Sequence, residues 1–307
     1  WLICFWRIVQ GLGTSFIVVA KRAYFVDLYD EEKRKHFLSF FTIVWSCGPI
    51  IAPFLGGYLE SLFAWQANFY FLAIYAGALF IAELFFSGET IRNVKKFNLK
   101  KTSMLYMVML KNKAFVFGIL ILGMAYSTVM VFNIAGPFVV EHHFGFNAVT
   151  TGYCTLILGI SWMIGGIISK TFSKQNFSRK LKVSAFTQII LLVLFVIAAA
   201  QLDQLYLLII FAFLIHIVSG FIFTNYFTQN MIYFPSNAGI AGGLIGGLLY
   251  IITSIISFLI SSSGEIASTF DMSIRYLGVG IPLVLVIFYS TFLILKKQQK
   301  KTKITTV

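Results

Sequence analysis

Charged residues are scarce in this chain. Asp, Glu, Lys and Arg together make up 11% of its 307 residues, whereas a soluble domain has about 25%. Hydrophobic residues make up 59% of the sequence and the mean hydropathy is +0.87. Between the few charges lie apolar runs of about 20 residues, the length that a helix needs to cross a bilayer. This pattern excludes a soluble globular domain and predicts an all-α protein that crosses a membrane many times.

Signatures of catalysis and of metal binding are also missing. The sequence contains neither a pair of membrane aspartates nor a His-Glu-x-x-His zinc site, which argues against an intramembrane enzyme. A Walker-type phosphate loop is excluded because no Gly-Lys-Ser/Thr is present. The three cysteines lie in apolar runs and imply no disulfide framework. His142 and His143 lack partners at ligand spacing, so we expect no metal and no cofactor.

The apolar runs divide the chain into segments. Nine spans are predicted, at roughly 1–21, 37–59, 65–86, 114–140, 147–169, 183–201, 204–230, 238–263 and 275–295. The longest polar connection, 87–113, separates a part with three spans, 1–86, from a part with six, 114–295. Residues 296–307 form a basic tail. A short interfacial helix is expected within the connection, at about Lys100–Leu110.

Positive charge follows the connections between spans. All but two of the 24 lysines and arginines lie in 21–35, 92–113, 170–182 and the tail. The positive-inside rule places these connections and the carboxyl terminus in the cytoplasm. The net charge of +13 is then explained by the cytoplasmic placement of the basic connections, which also attract anionic lipid. Nucleic acid is not needed to explain it.

One stretch of the second span is rich in small residues and prolines. Its two rows along the helix are Gly48, Ala52 and Gly56, and beside them Pro49, Pro53 and Gly57. Small residues let a second helix approach closely, and prolines bend or stiffen the helix locally. Judged by spacing alone, a helix-packing seam without a further role is the favoured explanation of the stretch.

Arg7 lies inside the first span, about 14 residues before Lys21 and so about 21 Å from the cytoplasmic edge. A charged side chain inside a membrane costs about 2.5–3.5 kcal/mol on insertion scales, so it should face a cavity or a partner. Gln10 follows one turn later. Snorkelling of Arg7 to the outer interface is the alternative.

Other cavity candidates are polar side chains in the later spans. Tyr126 and Asn133 lie in the fourth span, and Asn225 and Gln229 share one face of the seventh. Polar groups in lipid need partners, which favours an inward orientation. Helix packing explains each of them equally well. Some of the 34 Phe and 14 Tyr are also expected to line a hydrophobic cavity, but the sequence does not select them.

Several of these motifs resemble those of one family, the drug/proton antiporters of the bicyclomycin-resistance (Bcr/CflA) type in the major facilitator superfamily. The stretch 48–57 is similar to the antiporter motif in the fifth helix of such exporters, with Ala52 where glycine is usual. Arg7 to Gly11 resembles their fourth-helix motif, in which the arginine is associated with proton coupling. The segments 22–34, 65–70, 89–90 and 133–140 also resemble this branch.

The resemblance implies twelve helices in two halves of six, with both termini in the cytoplasm. About nine of the twelve are therefore expected here, and the first three, with the acidic partner of Arg7, would be absent. It further implies a monomer in the bacterial inner membrane that exports drugs or small amphipathic metabolites. Proton entry would drive export by alternating access. A facilitator importer of a small metabolite and an inactive truncated transporter are the alternatives.

Overall fold

Helices form nearly all of the chain. The computed structural model describes residues 1–28, 48, 51–86, 88, 99–234 and 237–305, and this part contains no strand. Its helices are α1 (Leu2–Leu28), α2 (51–63), α3 (Gln66–Phe86), α4 (Leu99–Lys111), α5 (Lys113–Phe138), α6 (Ala148–Thr171), α7 (Phe177–Ala199), α8 (Leu205–Ile232), α9 (Ala238–Ser262) and α10 (Thr269–Thr305). A short π-helix, Val139–His143, continues α5.

Seven helices in the described part are long and apolar enough to cross a membrane, namely α3 and α5 to α10. The apolar stretch of α1, Leu2–Ile17, is shorter. Every predicted span apart from 37–59 coincides with a described helix. Most of 37–59 lies outside the described residues, and only its end falls in α2. The predicted class, an all-α polytopic membrane protein, is confirmed.

The structure also corrects two helix starts. Helix α7 begins at Phe177, six residues before the predicted span, because the side chain of Asn176 accepts the backbone N–H of Arg179 and caps the helix. Helix α10 begins at Thr269 because Ser268 and Asp271 bond reciprocally in a capping box. The predicted short helix in the basic connection is confirmed as α4.

The described chain divides into two compact units. One comprises 1–49 and 66–97, and the other comprises 50–65 and 98–307. In the second unit, α5 packs against α8, α9 and α10, while α8 packs against α6 and α7. Helices α7 and α10 also pack against each other. Thus α5 and α8 form the centre of a six-helix bundle, α7 and α10 cover one side, and α6 and α9 flank the other.

Close approach of backbones holds part of this bundle together. A Cβ atom on Gly165 of α6 would collide with the carbonyl oxygen of Ile217 on α8. A Cβ atom on Gly220 of α8 would in turn collide with the carbonyl oxygen of Trp162 on α6. Lipid removes the hydrophobic drive between helices, so contact of this kind is a main source of association in a membrane.

The glycines of α9 differ from those of α6 and α8. Their number predicts another close-packing face, yet no atom of the described residues lies within 4 Å of a Cβ built on Gly243, Gly246 or Gly247. The side of α9 that does pack carries Ala241, Ile245 and Leu249, which are buried. The prediction of close packing along the α9 glycines therefore stays a prediction.

Candidate functional site

Arg7 is held by neighbours on two helices of the first unit. Its Nη1 atom donates a hydrogen bond to Oε1 of Gln10, one turn along α1, at 2.8 Å. The guanidinium carbon lies 5.1 Å from the centroid of the Phe69 ring on α3. A cation over an aromatic face is stabilised by about 0.5–2 kcal/mol, more where water is excluded. The two contacts fix the direction of the guanidinium.

A groove of about 410 Å³ lies between α1 and α3. Its lining residues are Ile3, Trp6, Arg7 and Gln10 of α1 with Phe69, Leu72, Ala73 and Ala76 of α3. Its walls are apolar, and Arg7 and Gln10 supply the charge and the amide. An apolar concavity with a few convergent polar groups is typical of small-molecule sites. The structure thus brings Arg7 and Gln10 together on one groove.

The small-residue stretch meets α6, within the second unit. A Cβ atom on Gly57 would collide with the carbonyl oxygen of Ala148, the first residue of α6. One on Gly152 would lie 3.3 Å from the carbonyl oxygen of Pro53. Among the described residues, the row of Pro53 and Gly57 therefore makes the close approach.

Gly48 and Ala52 are exposed and Gly56 is half-buried. Pro49 lies outside the described residues. A functional role for the row of Gly48, Ala52 and Gly56 stays a prediction.

Aromatic contacts extend the same seam. The hydroxyl groups of Tyr58 on α2 and Tyr153 on α6 are 2.8 Å apart and share a hydrogen bond. The ring of Phe54 lies edge-on at 5.1 Å from both tyrosine rings. This trio was not singled out in the sequence, because Tyr153 lies 95 residues from Tyr58 and no local spacing relates them.

Four aromatic rings, one from each of α5, α6, α8 and α9, lie close together on the second unit. They belong to Tyr126, Trp162, Phe223 and Tyr250, and we call them the aromatic face. The Tyr126 ring lies 6.1 Å from Trp162, 6.4 Å from Phe223 and 6.3 Å from Tyr250. Of the four, the sequence pointed only to Tyr126, since contacts between separate helices leave no spacing signal.

The remaining predicted cavity residues are spread over the second unit. Asn133 is exposed, two turns along α5 from Tyr126. Asn225 is buried, and its Nδ2 atom donates to the carbonyl oxygen of Phe221 within its own helix at 2.8 Å. Gln229 is half-buried one turn further on. Asn225 is thus bonded within its own helix, and Nδ2 of Asn133 lies 4.0 Å from Sδ of Met130. A cavity role of either residue stays a prediction.

A polar link that the sequence did not reveal joins three connections at one end of the bundle. The Nε2 atom of His143 lies 2.7 Å from Oδ2 of Asp203, and the Thr269 backbone N–H donates to Oδ1 of Asp203 at 3.0 Å. Burial raises the pKa of Asp203, but the hydrogen bonds from Thr269 and His143 outweigh it and hold that pKa below its ordinary value. The link ties the α5–α6 and α7–α8 connections to the start of α10.

These features define a helical membrane protein with an apolar groove that carries Arg7 and Gln10 in one unit, and a six-helix bundle in the other. The model of the Major Facilitator Superfamily matches residues 1–258. The chain belongs to this superfamily. The family predicted from the motifs is therefore confirmed.

Individual relatives agree with this assignment. The chain is similar to a bicyclomycin resistance protein homologue of Haemophilus influenzae, with 24% identity over 262 residues, covering 83% of this chain and 65% of that protein. It is 33% identical over 84 residues to the multidrug resistance protein MdtL of Escherichia coli O157:H7, covering 27% of this chain and 22% of that one. These relatives support the predicted drug-resistance branch.

A solved structure shares the fold. It is that of a bacterial homologue of the iron transporter ferroportin in an inward-facing state, which superposes with a TM-score of 0.61 at 15% identity. The superposition covers 86% of this chain and 65% of that one. The chain thus spans somewhat less than two thirds of the length of these two relatives.

Proposed function

We propose that this chain is part of an exporter of drugs or small amphipathic metabolites in the bacterial inner membrane, driven by proton entry. The observation that carries the proposal is the placement of Arg7. Its guanidinium is held by Gln10 and Phe69 at an apolar groove that is large enough for a small molecule. The printed names of the relatives, bicyclomycin resistance and multidrug resistance, support the same class of substrate.

Arg7 contributes a positive charge to the groove. A guanidinium stays protonated at any physiological pH. An acidic side chain on another helix, which the family resemblance implies, ion-pairs with Arg7 when it is deprotonated and loses this attraction when a proton neutralises it. Protonation and release of that acid would then alternate the contact with Arg7, which couples proton entry to a change of conformation.

The seam between α2 and α6 contributes a surface that can slide. Pro53 and Gly57 present little side chain to Gly152 and Ala148, so the two backbones lie in direct contact. The backbone contact itself can shift without repacking long side chains, whereas the hydrogen bond between Tyr58 and Tyr153 on the same seam has to break when the helices slide. The rocking motion of alternating access requires a surface of this type. On this proposal the protein is a monomer with a cytoplasmic carboxyl terminus, it needs no cofactor besides the proton gradient, and it catalyses no reaction.

Resistance of living cells tests the proposal. The natural full-length protein, expressed in a bacterium that lacks its own drug pumps, should raise the concentration of a toxic compound needed to stop growth. Arg7→Ala should abolish this resistance at unchanged membrane abundance, and Arg7→Lys should restore only part of it, because lysine keeps the charge but not the planar fork. The matched control is Arg179→Ala on α7, which removes an exposed arginine that does not line the groove.

Two results would contradict the proposal. One is the absence of resistance to every compound of a broad panel at normal abundance of the protein. The other is an equal loss of folded protein in Arg7→Ala, which would make Arg7 a structural residue. Increased sensitivity on expression would instead indicate an importer.

A further inference from the structure

Helix α4 carries cations and apolar side chains on the same exposed side. Lys100, Met104, Met107 and Lys111 are all exposed, and their spacing of three or four residues places them on one face of the helix. Met104 is 58% exposed and Met107 is 63% exposed. The two methionines therefore present their side chains between the two lysines. We call these four residues the lysine–methionine face.

The opposite side of α4 is anchored in the six-helix bundle. Met109 is 1% exposed and belongs to an apolar core that includes Phe115 of α5 and Ala241 of α9. Asn112 lies between the two helices, and its side chain accepts the backbone N–H of Phe115 and caps α5. Because α4 packs against α5 and α9 through the side of Met109, the lysine–methionine face points away from the bundle.

The cations at this end of the bundle have no carboxylate of the bundle to pair with. From residue 99 onward the acidic residues are Glu141, Asp203, Glu265 and Asp271. All four follow or precede a helix at the opposite end, where Asp203 pairs with His143 and Asp271 accepts a hydrogen bond from Ser268. The lysines of α4 therefore carry charge that the bundle itself does not neutralise.

A phospholipid surface suits both kinds of side chain on the lysine–methionine face. Headgroup phosphates attract lysine, and the boundary between headgroups and acyl chains accepts apolar side chains such as methionine. A soluble polyanion would match the lysines but leave the methionines in water. The positive-inside rule assigns this end of the bundle to the cytoplasm, and the cytoplasmic leaflet is the negatively charged one.

The α6–α7 connection, at the same end, offers a comparison with similar charge and less apolar surface. Lys174 and Arg179 are exposed there. The residues beside Lys174 that are exposed and polar are Ser173, Gln175 and Asn176. Phe172 is 39% exposed, less than either methionine of α4. If charge alone attracted lipid, this connection would bind it as well as α4 does.

We propose that the lysine–methionine face of α4 is a binding site for anionic phospholipid. Met104 and Met107 enter the boundary of the acyl chains, while Lys100 and Lys111 bind phosphate oxygens of the headgroups. The bound lipid stabilises α4 and, through it, the parts of α5 and α9 against which α4 packs. The site is independent of the compound carried and of the direction of transport, so it goes beyond the proposed function.

Thermal unfolding of the natural full-length protein in a neutral detergent tests this proposal. Dioleoyl phosphatidylglycerol added to the micelles should raise the unfolding temperature by about 2–4 °C, because a ligand that binds the folded state stabilises it. Dioleoyl phosphatidylcholine has the same acyl chains but no net charge, and it should raise the temperature by less than about half as much. Lys100→Gln combined with Lys111→Gln should remove the difference between the two lipids.

Three double variants separate the site from general charge and from folding. Lys174→Gln with Arg179→Gln removes the same number of exposed cations and should keep the full effect of phosphatidylglycerol. Lys100→Arg with Lys111→Arg preserves the charge and should also keep it. Met104→Gln with Met107→Gln leaves every cation in place and should lose roughly half of the effect, because glutamine does not enter the acyl boundary.

Each contrary result overturns the proposal. Equal unfolding temperatures with the two lipids would show that the headgroup charge is not recognised. Equal losses in the Lys100/Lys111 and Lys174/Arg179 glutamine variants would show that net charge alone attracts lipid. Stabilisation by inositol hexakisphosphate as large as that by phosphatidylglycerol would identify a soluble anion as the ligand. The expected lipid effects in a protein that confers no resistance support the site and contradict only the proposal of export.

Discussion

At the scale of single residues, the account depends on how a few polar side chains are satisfied. Arg7 donates a hydrogen bond to Gln10 and lies over the ring of Phe69. These two contacts orient its charge. Asn225 donates a hydrogen bond to its own helix, and its role in a cavity stays a prediction. Asp203 accepts bonds from two other connections, although the sequence shows it only as one acid in a short loop.

The link at Asp203 predicts a pH-dependent contribution to stability. The folded protein holds the pKa of this carboxyl below its ordinary value. The stabilisation is therefore complete at neutral pH, well above the unfolded-state pKa of about 4, and it is lost as the pH falls through the lower folded-state pKa. Asp203→Asn should lower the unfolding free energy at pH 7 by about 0.2–1 kcal/mol, the range for an exposed pair.

Thermal unfolding of the detergent-solubilised protein measures this effect. The difference in unfolding temperature between the wild type and Asp203→Asn should shrink as the pH is lowered toward 3. Glu265→Gln, a neutralised acid elsewhere in the connections, is the comparison variant. A difference that stays constant from pH 7 to pH 3 would show that the charge of Asp203 does not stabilise the fold.

At the scale of elements, glycine position decides which helices pack closely. The Cβ of an alanine at position 57 would collide with the Ala148 carbonyl, whereas no atom of the described residues lies near a Cβ at Gly246. Gly57→Ala should therefore destabilise the protein by about 1–3 kcal/mol through overpacking. Gly246→Ala should be neutral or stabilise it by up to about 1 kcal/mol, because alanine is the better helix former.

The two alanine variants form a matched pair for thermal unfolding and for the resistance test. The expected result is a lower unfolding temperature and reduced resistance in Gly57→Ala alone. If the two variants have equal unfolding temperatures and confer equal resistance, the contact of α2 with α6 contributes no more to stability and resistance than the open glycine row of α9.

Helices as such were predictable from hydropathy, since each span is a long apolar run. The first residue of each helix was harder to predict from hydropathy. Asn176 and Ser268 cap their helices, and both lie in polar sequence outside the apolar runs. The close packing of the small-residue stretch was predicted in kind, but the contact of Gly57 with Ala148 on α6 was not. That contact depends on where α6 lies, which no local spacing encodes.

At the scale of the whole molecule, each of the two units carries a feature of its own. The groove with Arg7 belongs to the first unit, and the aromatic face belongs to the second. Sequence motifs pointed to the groove, because Arg7 and Gln10 are neighbours on one helix. The aromatic face brings together rings from four helices, so only the tertiary structure reveals it.

The central claim is that proton entry drives export. The most direct measurement uses proteoliposomes that contain the natural full-length protein and a compound to which it confers resistance in cells. The account predicts that acidifying the outside accelerates efflux of the compound, that protons enter as it leaves, and that a protonophore or Arg7→Ala removes the acceleration. Efflux that is equally fast with and without the proton gradient, in the wild type, would contradict the account.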